Sequence, residues 1–281
     1  KSSSYGIPQN RPRLFMVGLH KSLKFCKKKE KELAGSFETI MGNMKKCDSP
    51  LKKGCCVEDG FFPKKCDEKA PGPKELLDDL VDSKMDYNNL IPVDRYRGDD
   101  NRFETRQYLK PAIKPVQSDM RLKKGEKNSY MKKRGRLTEQ VYSRHSERII
   151  KKFWHMINNK GEIPPGDRTK KFSQKVLPEK WKGKGNLPTI TVTSLPDDYV
   201  HYSQPRILTV REWARLQTFP DWYEFEGKRT TGGNRRSGTP QSTADEIETP
   251  KYTQIGNAVP VELARQIGVH FKNTILKKEL D

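Results

Sequence analysis

Residues 5–18 read Tyr-Gly-Ile-Pro-Gln-Asn-Arg-Pro-Arg-Leu-Phe-Met-Val-Gly, and this stretch decides the fold class. Gln9, Arg11 and Arg13 occupy alternate positions, so in an extended segment two guanidinium groups and an amide share one face. Leu14 to Val17 is a continuous apolar run of the kind buried on both faces of a parallel sheet. The polar trio therefore stands at the mouth of a core strand, where open α/β sheets keep their ligands. The plainer alternative is a basic edge strand with solvated charges.

Two further blocks lie toward the other end of the chain. Residues 206–221 read Arg-Ile-Leu-Thr-Val-Arg-Glu-Trp-Ala-Arg-Leu-Gln-Thr-Phe-Pro-Asp, and residues 252–260 read Tyr-Thr-Gln-Ile-Gly-Asn-Ala-Val-Pro. With Gln-x-Arg-x-Arg ahead of them, and in this order, they resemble the last three sequence blocks of the C5-cytosine DNA methyltransferases. That resemblance implies an α/β fold: the C-terminal part of an S-adenosylmethionine-dependent, Rossmann-like domain, plus a smaller, irregular target recognition domain. The family's Gly-rich cofactor turn, Pro-Cys nucleophile and Glu-Asn-Val acid lie earlier in its sequence. Neither Pro-Cys nor Glu-Asn-Val occurs here, and the sequence starts at Lys1. The expectation is that an N-terminal methyltransferase half lies on another chain or outside this sequence, and that this chain alone is inactive.

Composition points to the same partner. The 281 residues hold 56 Lys and Arg against 36 Asp and Glu, a net charge of +20 that favours polyanions, with double-stranded DNA as the leading partner and a membrane surface as the alternative. No segment approaches the ~18 apolar residues of a membrane span, and the start has no stretch like a signal peptide. The chain thus reads as soluble and intracellular, in cytoplasm, nucleoid or nucleus. Cys26, Cys47, Cys55, Cys56 and Cys66 form no CxxC pair and are read as free thiols, with no metal site.

Along the chain, the segment from about 20 to 135 is rich in Lys, Pro and Gly and reads as long loops able to bury little surface. Its clusters at Lys27 to Lys29, Lys45 and Lys46, Lys52 and Lys53, and Lys64 and Lys65 are either phosphate contacts or solvated charge. From Thr138 to Asn158 the spacing of Tyr142, Ile149, Phe153 and Met156 predicts a helix that stops at Gly161, with His145 and His155 as surface or core-edge residues. Leu187 to Thr193 is β-branched and strand-like. Thr209 and Glu212 form a capping-box pair opening a helix over 210–217 that stops before Phe219-Pro220, and a second helix follows Pro260 with Leu263, Ile267 and Phe271 on one face. The expected organisation is a catalytic-domain strand and following element over 1–40, a Lys-rich insertion or linker over 41–135, a target recognition domain over 136–208, and a return to the catalytic domain with a closing helix over 209–281.

The resemblance also assigns roles. C5 of cytosine is a poor nucleophile inside a stacked base, so such enzymes flip the base out and attack C6 with a thiolate, pushing charge toward O2 and N3. Arg13 matches the arginine expected to donate to O2, Arg11 orients neighbouring acids and the nucleophile loop, and Gln9 buttresses the strand. Asn257, Ala258 and Val259 are expected against S-adenosyl-L-methionine. Thr189 and Ile190 resemble the Thr-Leu pair of the recognition domain, beside the flipped DNA base. The function expected is cytosine-5 DNA methylation of the restriction-modification kind. The rivals are a non-catalytic DNA-specificity or regulatory subunit and a general nucleic-acid-binding protein.

Overall fold

The computed structural model describes residues 2–12, 69–83, 104–121, 137–168, 173–229 and 249–272. Its elements are α1 (Pro73–Leu77), α2 (Pro115–Arg121), α3 (Glu147–Asn158), β1 (Lys175–Val176), β2 (Tyr199–Val200), α4 (Val210–Leu216), α5 (Lys251–Asn257) and α6 (Val261–Phe271), with short 3-10 turns between some of them. The chain divides into two units, Lys1–Pro12 with Cys66–Glu262 and Arg13–Lys65 with Leu263–Asp281.

Helix α4 is the axis of the first unit. Thr209 caps it as the sequence foretells: its hydroxyl accepts from Glu212 N at 3.1 Å while Glu212 Oε2 accepts from Thr209 N at 2.9 Å. Every residue of the helix is buried, including Arg211, Glu212 and Arg215. Around it packs an apolar core in which Leu76, Leu77, Leu177, Val192, Trp213 and Ile255 are fully enclosed. Each such aliphatic side chain contributes about 1.5–3 kcal/mol. Three of the core leucines, Leu76, Leu77 and Leu80, belong to the Lys-rich segment that composition reads as loop. A short apolar run inside a polar stretch carries no periodicity, yet here it forms α1 and docks on α4.

Helix α3 places Ile150, Phe153 and Met156 inward, the last two against Val200 and Ile207. It ends at Asn158, and Gly161, at φ 92°, donates back to Met156 O at 2.7 Å. Its start differs from the expected one. Residues 138–146 are not helical, because their backbone pairs elsewhere: Thr105 N donates to Gln140 O and Leu137 N to Arg106 O, and Val141 bridges Glu104 antiparallel. Tyr142 is still buried, held by a 3.0 Å hydrogen bond to Thr105.

The expected strand over 187–193 also takes another form. Burial alternates as in a strand, with Ile190 and Val192 inside and Thr189 exposed. No ladder forms, because side chains take the carbonyls: Trp213 Nε1 donates to Thr193 O at 2.9 Å and Arg11 Nη1 to Val192 O at 3.2 Å. Among the described residues the regular sheet is the parallel pair β1–β2, with Lys175 opposite Tyr199 and Val176 opposite Val200. The core strand expected at Leu14 to Val17 lies outside the described residues. In the second unit, residues 263–271 form the body of α6, with Leu263 and Ile267 buried. No helix among the described residues is long and apolar enough to cross a membrane.

Candidate functional site

Three segments remote in sequence meet around two buried amides. Gln9 and Gln217 are both fully enclosed, and Gln9 Nε2 donates to Gln217 Oε1 at 3.0 Å across 208 positions. Gln9 Oε1 in turn accepts from Arg11 N at 2.9 Å. Gln217 Nε2 donates to Ile255 O at 2.7 Å and Ala258 O at 3.1 Å. Arg11 completes the knot, its Nη1 donating to Gly256 O as well as Val192 O. Each of these donors has its acceptor in place, so the cluster is locked rather than loosely packed.

The backbone at Gly256 explains that residue. A Cβ there would stand 2.3 Å from Thr193 O, an overlap that only glycine avoids. With its back fixed by Arg11, Gln217 and Thr193, the loop presents Asn257 and Val259 outward, while Ala258 is half-buried. An outward side chain on a rigid backbone suits a ligand contact.

Two ion networks hold α4 in register behind this cluster. Arg206 meets Glu212 in a fork, and Gln140 bridges Thr209 and Glu212. Arg215 lies between Asp221, at 2.6 Å, and Asp79, at 2.5 Å, while Arg121 also grips Asp79 and Tyr108 donates to Asp221. Burial alone would raise the Glu212 carboxyl, but the charge and hydrogen bonds of Arg206 outweigh it and hold the pKa down at about 2. The same contest keeps Asp221 below its ordinary value, with Arg215 prevailing over burial. Arg206, Arg211 and Arg215 therefore spend their donors inside the protein, consistent with a scaffold.

The other expected site residues fall as follows. Gln9 and Arg11 join the Asn257–Ala258 loop, as above. Arg13 lies outside the described residues, as do the lysine clusters at 27–29, 45–46, 52–53 and 64–65. Ile190 is core, and its carbonyl accepts from Asn10 N at 2.7 Å. Thr189 beside it is exposed. His145 is a core-edge residue, its ring edge-on to Phe153 and its pKa lowered to about 4 by burial and then by Arg229 and Arg206; His155 is exposed. Among the described residues no group of three or more His, Cys, Asp or Glu is arranged to hold a metal ion. Sequence reasoning missed the bridging part of Gln217, treated only as a residue at the helix end, and the buried pair Asp79–Arg215. An amide next to a cap carries no sequence signal for a partner more than 200 positions away.

Charge outside the core is predominantly basic. A pocket of about 530 Å³ is ringed by Lys69, Lys74, Lys110, Lys114 and Lys180, with Trp181 at its wall. Glu75, Asp78, Asp79 and Glu179 also line it, with Glu179 paired to Lys74 and Asp78 within reach of Lys110, so the five lysines face four carboxylates.

A model of the C-5 cytosine-specific DNA methylases matches residues 1–273. The chain is 31% identical over 287 residues to the type II methyltransferase M.DdeI of Desulfomicrobium norvegicum, a match that covers 96% of this chain and 53% of that protein. It is 40% identical over 98 residues to M.Eco47II of Escherichia coli, covering 32% of this chain and 19% of the relative. Against DNA (cytosine-5)-methyltransferase 2 of Arabidopsis thaliana it is 38% identical over 109 residues, 35% of this chain and 6% of the relative. The chain spans about half the length of M.DdeI and a smaller share of the other two.

Proposed function

Because the chain belongs to the C-5 cytosine-specific DNA methylase family, we propose that it takes part in methyl transfer from S-adenosylmethionine to C5 of a flipped cytosine in DNA. The family carries a Rossmann-like, S-adenosylmethionine-dependent fold. Within the enzyme this chain supplies the C-terminal catalytic blocks and, over roughly residues 136–208, a target recognition domain. The Pro-Cys nucleophile and the Glu-Asn-Val acid come from sequence outside these residues. The observation that carries this reading is the buried knot of Gln9, Arg11 and Gln217, which joins the Gln-x-Arg-x-Arg block to the Gly256–Val259 loop.

Each residue then has a task. Arg13, the second arginine of the Gln-x-Arg-x-Arg block, donates to the base at O2, where charge develops as C6 is attacked. Arg11 is committed to backbone carbonyls and fixes the direction of that segment. Asn257 and Val259 face outward from a braced loop, the Asn257 amide suited to hydrogen-bond the amino-acid end of S-adenosylmethionine and Val259 to pack against it. When bound, that cofactor supplies an electrophilic methyl group. Thr189, exposed on a segment whose neighbours Ile190 and Val192 are anchored in the core, stands on the recognition side.

The test is transfer of labelled methyl groups into duplex DNA by the chain joined to the segment encoded immediately upstream. Incorporation at C5 of cytosine is expected. DNA binding without incorporation would favour a non-catalytic specificity subunit.

A further inference from the structure

Gln217 stands between two parts of the proposed site without belonging to either. Its side chain is fully buried, its Oε1 accepts from Gln9, and its single NH2 group is divided between Ile255 O and Ala258 O. Its own carbonyl accepts from Val261 N at 3.2 Å. The next residue, Thr218, is β-branched yet held at φ 61°, with its hydroxyl donating to Gln217 O at 2.7 Å and accepting from Glu262 N at 2.9 Å. A β-branched residue in the left-handed region persists only where its surroundings fix it. The turn around Gln217 is thus held from several sides, and both ends of its amide are committed.

We propose that Gln217 is a positioning residue whose amide links the Gln9–Arg11 segment to the Ile255–Val261 loop, so that the base-side segment and the methyl-donor loop are seated together. The proposal rests on the methyltransferase reading for the ligands of the two segments, but the link itself is a property of this chain. It works by polarity. Gln217 has one NH2 to give, and its orientation toward the loop depends on Gln9 offering a donor rather than an acceptor.

The two substitutions Gln9→Glu and Gln9→Met separate this relay from ordinary packing. Gln9→Glu keeps the shape and the acceptor for Arg11 N but removes the donor to Gln217, setting two acceptors face to face. The Gln217 amide then turns its NH2 toward Glu and away from Ile255 O and Ala258 O. Gln9→Met removes more hydrogen bonds but offers no competing acceptor, so Gln217 keeps its hold on the loop. Amide hydrogen exchange of the full chain reads the outcome at Ala258 N and Val261 N. With two hydrogen bonds released, exchange there should rise about tenfold or more in Gln9→Glu and change little in Gln9→Met. Gln217→Glu, which retains the acceptor for Gln9, should loosen the same amides while leaving Arg11 N protected. In the joined enzyme, Gln9→Glu should raise the apparent KM for S-adenosylmethionine more than it lowers kcat. Equal effects of Gln9→Glu and Gln9→Met on the loop, or unchanged exchange in both, would overturn the relay. Exchange requires no methyl transfer, so failure of the relay and failure of the family activity register in different measurements.

Discussion

Arg206 and Glu212 form a two-pronged ion pair with no exposed surface on either side chain, Nη1 lying 2.7 Å from Oε2 and Nη2 2.6 Å from Oε1. Glu212 also closes the cap of α4, so one carboxylate serves as counter-ion, cap and partner of Gln140. Replacing Glu212 by Gln leaves a buried guanidinium uncompensated. Removing one member of such a pair typically costs about 3–5 kcal/mol. Chemical denaturation of Glu212→Gln should register a loss of that size, whereas Glu147→Gln, in an exposed pair with Lys151, should be near neutral.

Acid should weaken the fold well before carboxylates titrate. His201 is fully buried, and burial followed by the charge of Arg206 lowers its pKa from 6.5 to about 3; His145 falls to about 4. Both folded-state values lie below the unfolded one, so the unfolded chain takes up protons first as the pH drops. Stability from these groups is complete above pH 6.5 and is lost as the pH falls from 6.5 toward about 4 for His145 and about 3 for His201. In His201→Asn the slope of unfolding free energy against pH in that window should drop by about 1.4 kcal/mol per pH unit. An unchanged slope would mean that His201 is protonated in the folded protein.

Arg13→Ala and Asn257→Ala should separate the two halves of the site kinetically. In the joined enzyme, loss of the Arg13 donor should lower kcat on the order of 10²–10³ with little change in DNA affinity, since it acts where charge develops. Asn257→Ala should instead raise the apparent KM for S-adenosylmethionine. The reverse pattern would reverse the residue assignments while leaving family membership intact.

DNA affinity should fall steeply with salt. A net charge of +20 and dispersed lysines release counterions on binding, so log Kd should rise linearly with log salt concentration. A flat dependence would exclude phosphate contact as a use of that charge.

Much of α4 and its surroundings was legible in the sequence because capping is local: Thr209, Glu212 and Pro220 mark both ends of the helix within a dozen positions. The bond from Arg11 to Gly256 O was not legible, since the order of the family's blocks brings two segments to one pocket but names no contact between them. Periodicity placed Phe153 and Met156 correctly but overran the start of α3, since nothing local reveals that the backbone of Gln140 pairs with Thr105. Thr191 and Val192 have strand-forming side chains, yet the carbonyls that a ladder would need are claimed by Arg11 and Trp213. The inward pair of Asp79 with Arg215 was invisible because an ion pair spanning 136 positions leaves no pattern in a window.

The most direct measurement is covalent trapping on duplex DNA containing 5-fluorocytosine, with S-adenosylmethionine present, using this chain alone and then joined to the upstream segment. No denaturation-resistant adduct is expected with the chain alone, and a stoichiometric adduct with the joined protein, sharply slowed by Arg13→Ala. An adduct formed by the chain alone would contradict the proposal that the nucleophile comes from outside these residues, and a joined protein that binds DNA but never traps it would contradict the methyltransferase reading itself.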